Sequence, residues 1–169
     1  VTLATISGID IVVRENTDHQ SPFASEQFSI GYRMPILETA SGLCMLAYMP
    51  IKRQKLILKT LAKTNNDPKK IANNTAVLEK KLVKILNQGF SVKNRARRFA
   101  DLTAISVPII TEEEVVRGAL TIRYSRSAIA LEQAVAKFVP SLMKTSLGIA
   151  SRINLHINRQ QSLNNKEPY

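Results

Sequence analysis

The stretch that decides the fold reads PILETASGLCMLAYMP and occupies residues 35–50. It predicts a loop that runs into a helix with an almost wholly apolar body. Thr39 or Ser41 can cap this helix, because a side-chain hydroxyl there accepts a hydrogen bond from a first-turn amide. Other first-turn amides and the positive end of the helix dipole would then face an anion, and Gly42 would allow its close approach. An ordinary buried helix with small residues at its start has the same sequence, so both interpretations stay open.

Length and composition bound the class of protein. With 169 residues, 44% of them apolar, the chain is long enough for one domain with a substantial core. It has no apolar run of about 18 residues and no recognisable secretory leader, so we expect no membrane partner. The single cysteine, Cys44, suits a reducing cytoplasm. Because Val1 rather than Met stands first, we expect a piece of a longer chain.

The net charge of +11 is unevenly distributed. Residues 1–50 carry −3, which leaves +14 for the rest, most of it between residues 52 and 98. A positive surface attracts nucleic acid or anionic ligands, so nucleic-acid binding through this basic 52–98 surface is an alternative function. Seven lysines contribute to it: Lys52, Lys55, Lys59, Lys63, Lys80, Lys81 and Lys84. They could equally form the solvated faces of two helices, and aromatic residues for base stacking are scarce there.

Hydrophobic patterning in the first half predicts three strands followed by three helices. The strands cover residues 2–6, 9–15 and 27–34, with a turn at Ser7 and Gly8 between the first two. After the helix of the opening stretch, a second helix is predicted over 51–63. A third follows a cap at Asn74 or Thr75 and ends at Gly89. Its predicted apolar stripe consists of Leu78, Leu82, Ile85 and Leu86.

The second half predicts three more strands and a long helix. Strands are expected over 90–93, 102–110 and 115–124, with an acidic turn at 111–114. A helical pattern runs from residue 130 to about 158, with a kink or restart at Pro140. The order indicates an α+β domain over 1–158, in which helices pack on one antiparallel sheet, and a flexible tail over 159–169.

Enzymatic chemistry finds little support in the sequence. The only histidines, His19 and His156, stand in a polar loop and near the end of the last helix, so no Cys-His pair with Cys44 is indicated. The spacing of these three residues gives no metal signature, and no glycine-rich phosphate loop is present. We therefore expect no enzyme, no metal and no cofactor.

Arg123 is the most informative charged residue. On period-two spacing it shares a strand face with Thr121, while apolar residues occupy the other face. A guanidinium in such a position can bind a carboxylate through two hydrogen bonds. Thr103, on the partner strand, could face the same cavity. The alternative is an edge-strand arginine that reaches water.

Several longer stretches resemble one family. RMPILETASGLCMLAYMP (33–50) resembles the start of the main pocket helix in the effector-binding domain of IclR-type bacterial transcription regulators. ILNQGFSV (85–92), TAISVPII (103–110) and VVRGALTIRYS (115–125) are similar to the end of the family's third helix and to strands that follow it. SAIALEQAVAKFVPSLMKTSLGIASRI (127–153) resembles its closing helix.

The resemblance implies a GAF-like (profilin-like) domain with a six-stranded antiparallel sheet that binds a small-molecule carboxylate effector. Promoter DNA would be bound by a winged helix-turn-helix domain located before Val1, and the protein would assemble into a homodimer or homotetramer. In the family the ligand carboxylate meets helix-start amides that fall on Gly42 and Leu43. Other family contacts fall on Lys93, Thr103, Thr121 and Arg123.

This sequence departs from the family at several of these positions. Small-acid binders carry an acidic residue, a cysteine and two serines where this chain has the last four residues named above. Leu43 in place of a smaller residue, together with Phe99 nearby, would make the pocket more apolar. We therefore expect an aromatic or arylalkyl carboxylic acid as effector, and control of aromatic-acid catabolic genes.

Overall fold

The computed structural model describes residues 1–20, 28–63, 75–94 and 101–164. Six strands form one sheet: β1 (Thr2–Ser7), β2 (Asp10–Asn16), β3 (Arg33–Pro35), β4 (Ser91–Asn94), β5 (Leu102–Ile110) and β6 (Val116–Ser125). Four α-helices accompany them: α1 (Ala40–Ala47), α2 (Ile51–Lys63), α3 (Thr75–Gln88) and α4 (Leu131–Asn164). Short 3₁₀ helices occupy Asp18–Gln20 and Ile36–Glu38.

The sheet joins two hairpins from opposite ends of the chain. Its order is β3-β2-β1-β6-β5-β4, and all neighbouring strands are antiparallel. The β1–β2 and β5–β6 hairpins meet where β1 pairs with β6, so residues near both ends of the chain form the centre of the sheet. This arrangement confirms the predicted α+β class with a six-stranded antiparallel sheet.

Helices cover both faces of the sheet. α1 packs against β5, β6, β4 and β1, and it shares a core with buried apolar side chains of α2 and α3. α4 packs on the other face against β5 and β6, where Ile105, Val107 and Leu120 lie in a second buried cluster. The α1 face is the one that carries the candidate site.

Most predicted elements agree with the structure, and the third strand is the main exception. Instead of a strand over 27–34, the described part of that range contains a turn at Ile30 and Gly31, and β3 begins only at Arg33. Gly31 has a φ of 87°, a left-handed conformation that interrupts the regular extended backbone of a strand. The side chains of Ile30 and Tyr32 are exposed, so their alternation does not mark a buried face. Gln27 lies outside the described residues.

Two smaller corrections concern the helices. Leu86 is 44% exposed, so the buried stripe of α3 consists of Leu78, Leu82 and Ile85. α4 runs continuously through Pro140 and extends to Asn164, beyond the predicted end near residue 158. The prediction of a flexible tail over 159–169 is thus replaced by helix as far as the structure describes the chain. None of the helices in the described ranges is long and apolar enough to cross a membrane.

Candidate functional site

Two cross-strand rows on the α1 face form the floor of a cavity. Paired residues of neighbouring strands lie side by side on one face of a sheet. One row consists of Lys93, Ala104 and Arg123, so a small alanine lies between two long cations. With strands spaced about 4.8 Å apart, the backbones of the two cations are separated by about 10 Å. The next row is made of small hydroxyl residues: Ser91, Ser106, Thr121 and Thr2.

The start of α1 lies over this floor. Thr39, in extended conformation, is its N-cap, and the Thr39 Oγ1 accepts a hydrogen bond from the Gly42 amide at 2.9 Å. The Ser91 hydroxyl donates to the carbonyl of Ala40 at 2.6 Å, which attaches the helix start to β4. The Lys93 ammonium donates to the carbonyl of Leu37 at 2.8 Å, just before the helix. α1 is therefore anchored to the same strand that supplies one end of the charged row.

Between the floor and the helix start lies a cavity that opens to solvent. It contains about 450 Å³ of space when the open mouth is included, whereas the part that the centre of a water molecule can reach is about 40 Å³. That inner part is enough for about three ordered waters. The lining residues are Thr2, Ala4, Phe28, Met34, Glu38, Thr39, Ala40, Ser41, Lys93, Ala104, Thr121 and Arg123. The cavity thus combines two cations with apolar side chains and one helix N-terminus.

Arg123 is already engaged inside this site. Its Nη2 donates to Oδ2 of Asp18 at 2.5 Å, and the side chains of the pair are only 14% and 7% exposed. The guanidinium carbon also lies 4.4 Å from the centre of the Phe28 ring, a cation–π contact. Phe28 in turn stacks on Tyr32 with ring centres 5.0 Å apart. β6 is an interior strand, so the alternative of an edge-strand arginine reaching water is wrong.

The buried ion pair changes the protonation behaviour of Asp18. Burial by itself would raise the pKa of the Asp18 carboxyl. Hydrogen bonds from the Arg123 guanidinium and the Phe28 amide, together with nearby positive charge, outweigh that effect and lower the pKa below its usual value. Asp18 is therefore held as a carboxylate at neutral pH.

Lys93, at the other end of the row, has a different environment. Burial lowers its pKa, nearby Lys81 lowers it further, and Glu38 acts in the opposite direction. Glu38 itself is exposed at the mouth of the cavity. The two ends of the floor therefore differ, because among the described residues a buried carboxylate lies against Arg123 and not against Lys93.

The structure brings together three of the predicted site residues. Lys93, Thr121 and Arg123 all line the cavity. The Thr121 hydroxyl donates to that of Ser106 at 2.9 Å, so it belongs to the hydroxyl row of the floor. The remaining four predicted residues are Gly42, Leu43, Thr103 and Phe99. Phe99 lies outside the described residues.

Gly42 and Leu43 do not present amides to the cavity. The Gly42 amide is used by the Thr39 side chain, and the Leu43 amide donates to the Thr39 carbonyl at 3.2 Å. Gly42 packs against the preceding turn, because a Cβ at this position would lie 1.9 Å from the carbonyl oxygen of Ile36. The Leu43 side chain belongs to the core. Ala40 and Ser41, which line the cavity, stand at helix positions where an amide has no intrahelical acceptor.

Thr103 lies on the opposite face of the sheet. It pairs with Tyr124, whereas Ala104 pairs with Arg123. A one-residue register shift between Ile109 and Ile110 causes this. Ile110 pairs with Val116, and the same register continued along both strands would place Thr103 opposite Arg123. The Thr103 hydroxyl instead donates to Oδ1 of Asn94 at 2.9 Å.

Sequence reasoning missed two residues that contact Arg123. Asp18 lies in a polar stretch 105 residues before Arg123, and Phe28 was assigned to a strand. No local pattern identifies either contact, because both depend on how the chain segment before β3 packs against the sheet. An acidic residue isolated in a polar loop was the only signal available.

Cys44, the remaining chemical candidate, is buried in the core. Burial raises the pKa of the Cys44 thiol to about 12, although the Ser91 and Ser106 hydroxyls act in the opposite direction. The thiol is therefore protonated near neutral pH and is not an activated nucleophile. Within the described ranges, no group of three or more His, Cys, Asp or Glu is placed to hold a metal ion.

The lysines of the basic 52–98 surface lie outside the cavity. All seven are exposed on the outer faces of α2 and α3: Lys52, Lys55, Lys59, Lys63, Lys80, Lys81 and Lys84. The positive charge of α2 and α3 therefore lies on their solvent-exposed faces. Of the seven, Lys81 is near enough to Lys93 to lower the pKa of that cavity residue.

Comparison with known proteins adds a family match. Residues 1–151 match the family model described as bacterial transcriptional regulator IclR C-terminal. A curated protein of Cupriavidus necator, described as probable transcriptional regulator SauR, is 24% identical over 140 residues, which are 83% of this chain and 54% of the relative. The chain therefore spans about half the length of that relative.

Solved structures with the same fold include single domains of two other transcription factors. The C-terminal domain of the Escherichia coli transcriptional regulator KdgR has a TM-score of 0.70 and 24% identity, covering 89% of this chain and 84% of that one. The inducer-binding domain of a double mutant of PobR from Acinetobacter, in complex with 3-hydroxybenzoic acid, has a TM-score of 0.69 and 16% identity. That likeness covers 88% of this chain and 86% of the PobR domain. At these identities the likeness is evidence for the fold.

Proposed function

This chain belongs to the family of bacterial transcriptional regulators defined by the IclR C-terminal domain, and we propose that it binds a small aromatic or arylalkyl carboxylic acid as effector. The observation that carries the proposal is the cavity in which the Arg123 guanidinium, beside the Phe28 ring, lies on the same sheet face as the α1 start. The matched relatives are transcriptional regulators and not enzymes.

The acid group has two sources of stabilisation in this cavity. Arg123 offers a guanidinium, whose planar N–H groups match the geometry of a carboxylate. The N-terminus of α1 adds a partial positive charge and the amides of Ala40 and Ser41. Because the Gly42 and Leu43 amides have acceptors within the chain, we assign the helix-start contribution to Ala40 and Ser41 instead.

The apolar lining suits an aromatic ring. Phe28, Met34, Ala4 and Ala104 surround the space next to the charged row. Aromatic rings favour stacked or edge-on contacts with a phenylalanine, and the two alanines leave room over the floor. The present inner space is too small for such an acid, so its binding requires lining side chains such as Phe28 and Met34 to move.

One further observation supports an aromatic ligand. The PobR domain of the same fold is a complex with an aromatic hydroxy acid. We also propose, from the stretches RMPILETASGL and SAIALEQA, that this chain resembles the regulator of hydroxyphenylpropionate catabolism within the family. We therefore propose control of aromatic-acid catabolic genes as the role of the whole regulator.

In this proposal the domain is one part of a cytoplasmic regulator that binds promoter DNA through a separate winged helix-turn-helix domain. Effector binding stabilises one of two pre-existing arrangements of a homodimer or homotetramer, and differential affinity for the two arrangements carries the signal.

Titration calorimetry tests the ligand class. Protein purified by unfolding and refolding, so that no bound acid remains, is titrated with benzoate, phenylacetate and 3-phenylpropionate, and with the neutral amide of 3-phenylpropionate as control. We expect heat with at least one acid and little with the amide. Arg123→Ala should weaken binding of that acid by about tenfold or more, since a charge-assisted pair contributes about 1.5–3 kcal/mol. Arg33→Ala, which removes an exposed cation outside the cavity lining, is the matched control.

Absence of heat with every acid would contradict the proposal. So would equal binding of the acid and its amide, because the carboxylate would then contribute nothing.

A further inference from the structure

Asp18 places a carboxylate of the chain itself on the cation that the proposed effector would use. The Asp18 Oδ2 accepts from Nη2 of Arg123 at 2.5 Å, and the pair is almost completely buried. The same oxygen accepts from the Phe28 amide at 3.2 Å. The Asp18 amide donates to Oδ1 of Asn16 at 3.0 Å. Asp18 is thus held against Arg123 by bonds from its own segment.

Asp18 adds a buried carboxylate next to the charged groups of the cavity lining. Lys93 and Arg123 are the cations of the lining, and Glu38 is its anion. Glu38 is exposed, so water screens its charge. Asp18 is buried, and its interaction with Arg123 is therefore screened much less. An arriving monocarboxylate consequently meets an arginine that already has a buried carboxylate partner.

We infer that Asp18 is an internal substitute for the effector carboxylate: it occupies Arg123 in the ligand-free protein, and the effector's carboxylate replaces it there. The inference rests on the proposed function, because it concerns the same cavity and the same class of ligand. In this role Asp18 lowers the affinity of the cavity for every carboxylic acid, and only acids with enough further contacts bind.

The exchange is chemically balanced and has a defined cost. One carboxylate leaves the guanidinium and another takes its place, so Arg123 has a carboxylate partner before and after the exchange. The displaced Asp18 carboxylate keeps the Phe28 amide as a donor but loses its cation. The affinity for an acid is lowered by that loss, and ligands with too little apolar surface to compensate do not bind.

Neutralising the competitor tests the inference. In Asp18→Asn the side chain keeps its shape and can still accept from the Phe28 amide, but its negative charge is gone. Calorimetry with 3-phenylpropionate should show binding tighter than that of the wild type by about tenfold or more, because two like charges a few ångströms apart no longer compete for one cation. Asp10→Asn is the matched control, since Asp10 forms an exposed pair with Arg33 and its loss should leave affinity unchanged.

A second measurement uses the wild-type protein and does not depend on the variant's folding. With aspartate carboxyl groups labelled with ¹³C, the Asp18 resonance should shift when 3-phenylpropionate is added, while that of Asp10 stays in place. A bound ligand that leaves the Asp18 resonance unchanged would overturn the exchange, and so would equal or weaker binding to Asp18→Asn.

These failures can be distinguished from failure of the proposed function. If the wild type binds the acid and Asp18→Asn binds it no better, the effector class stands and only the exchange is wrong. If neither protein binds any aromatic acid, both proposals fall.

Discussion

At the residue scale, the Asp18–Arg123 ion pair determines the charge at one end of the cavity floor. In the proposed function Arg123 is the cation for a carboxylate ligand, and in the structure Asp18 already forms an ion pair with it. A buried ion pair is weak evidence for net stability, but removing one partner is costly because the other charge stays buried and unpaired. The pair therefore has a measurable signature in stability as well as in binding.

The pH dependence of stability should report Asp18. Its pKa is lower in the folded protein than the value of about 3.9 expected in the unfolded chain. The stabilisation is then fully present above that unfolded value and disappears as the pH falls through the folded value. We expect Asp18→Asn to lower the free energy of unfolding by about 3 kcal/mol near pH 7. That difference should shrink as the pH falls from neutral into the acid range, through the lowered pKa of Asp18 in the folded protein.

Urea unfolding of both proteins across this pH range measures the effect. Asp10→Asn, which breaks an exposed pair, should cost less than about 1 kcal/mol at any pH. Wild type and Asp18→Asn curves that run parallel from neutral to acidic pH would mean that Asp18 does not titrate as described.

Part of this site could be predicted residue by residue. Period-two spacing within one strand was enough to put Thr121 and Arg123 on one face, because that rule involves a single element. Thr103 required the register between two strands, and a bulge between Ile109 and Ile110 reversed its face. Asp18 required the packing of a distant segment, for which the sequence contains no local rule.

At the element scale, the start of α1 is fixed by a close approach of the preceding turn. The Thr39 cap and the position of Gly42 against the Ile36 carbonyl together determine where the helix begins. Glycine is needed for this packing, whereas the sequence had suggested that it makes room for a ligand. The predicted cap was correct because capping depends only on neighbouring residues.

Gly42→Ala should therefore destabilise the protein even without ligand. The new Cβ would lie 1.9 Å from a backbone oxygen, which cannot move aside like a flexible side chain. We expect a loss of about 2 kcal/mol or more in the free energy of unfolding. Gly148→Ala is the matched control in α4, where a Cβ meets nothing within 4 Å. It should stabilise by up to about 1 kcal/mol, because alanine favours a helix interior.

Thermal or urea unfolding of the two variants gives the answer. If Gly42→Ala were as stable as Gly148→Ala, the close approach of the Ile36 turn would not be a constraint on the helix start.

Element boundaries were predictable where a signal was local. α2 and β5 have the predicted limits of 51–63 and 102–110, since Pro50 and a long apolar run mark them clearly. β3 was wrong because alternating apolar residues suggested a strand, while Gly31 takes a left-handed turn and the flanking side chains reach solvent. The sequence does not reveal which alternating pattern is buried.

At the scale of the whole molecule, the two faces of the sheet have separate environments. α1 and the cavity lie on one face, α4 covers the other, and the exposed lysines belong to α2 and α3. The class and strand number followed from the order of elements and from the resemblance. The pairing of β1 with β6, which closes the sheet, joins distant parts of the chain and needed the structure.

The position of the lysines makes a prediction about DNA. A salt-titrated mobility-shift assay with this chain should show no binding near a physiological ionic strength of about 0.15 M, because exposed charges alone give weak, salt-sensitive association. Binding that persists at that salt concentration, and that is lost when Lys80, Lys81 and Lys84 are replaced by glutamine, would favour nucleic-acid binding by the basic 52–98 surface instead.

The most direct test of the central claim is a crystal structure of the protein with 3-phenylpropionate. We predict the ring beside Phe28 over Ala104, the carboxylate within hydrogen-bond distance of the Arg123 guanidinium, and Asp18 turned away from it. A ligand bound outside the cavity, or one inside it whose carboxylate avoids Arg123, would contradict the account.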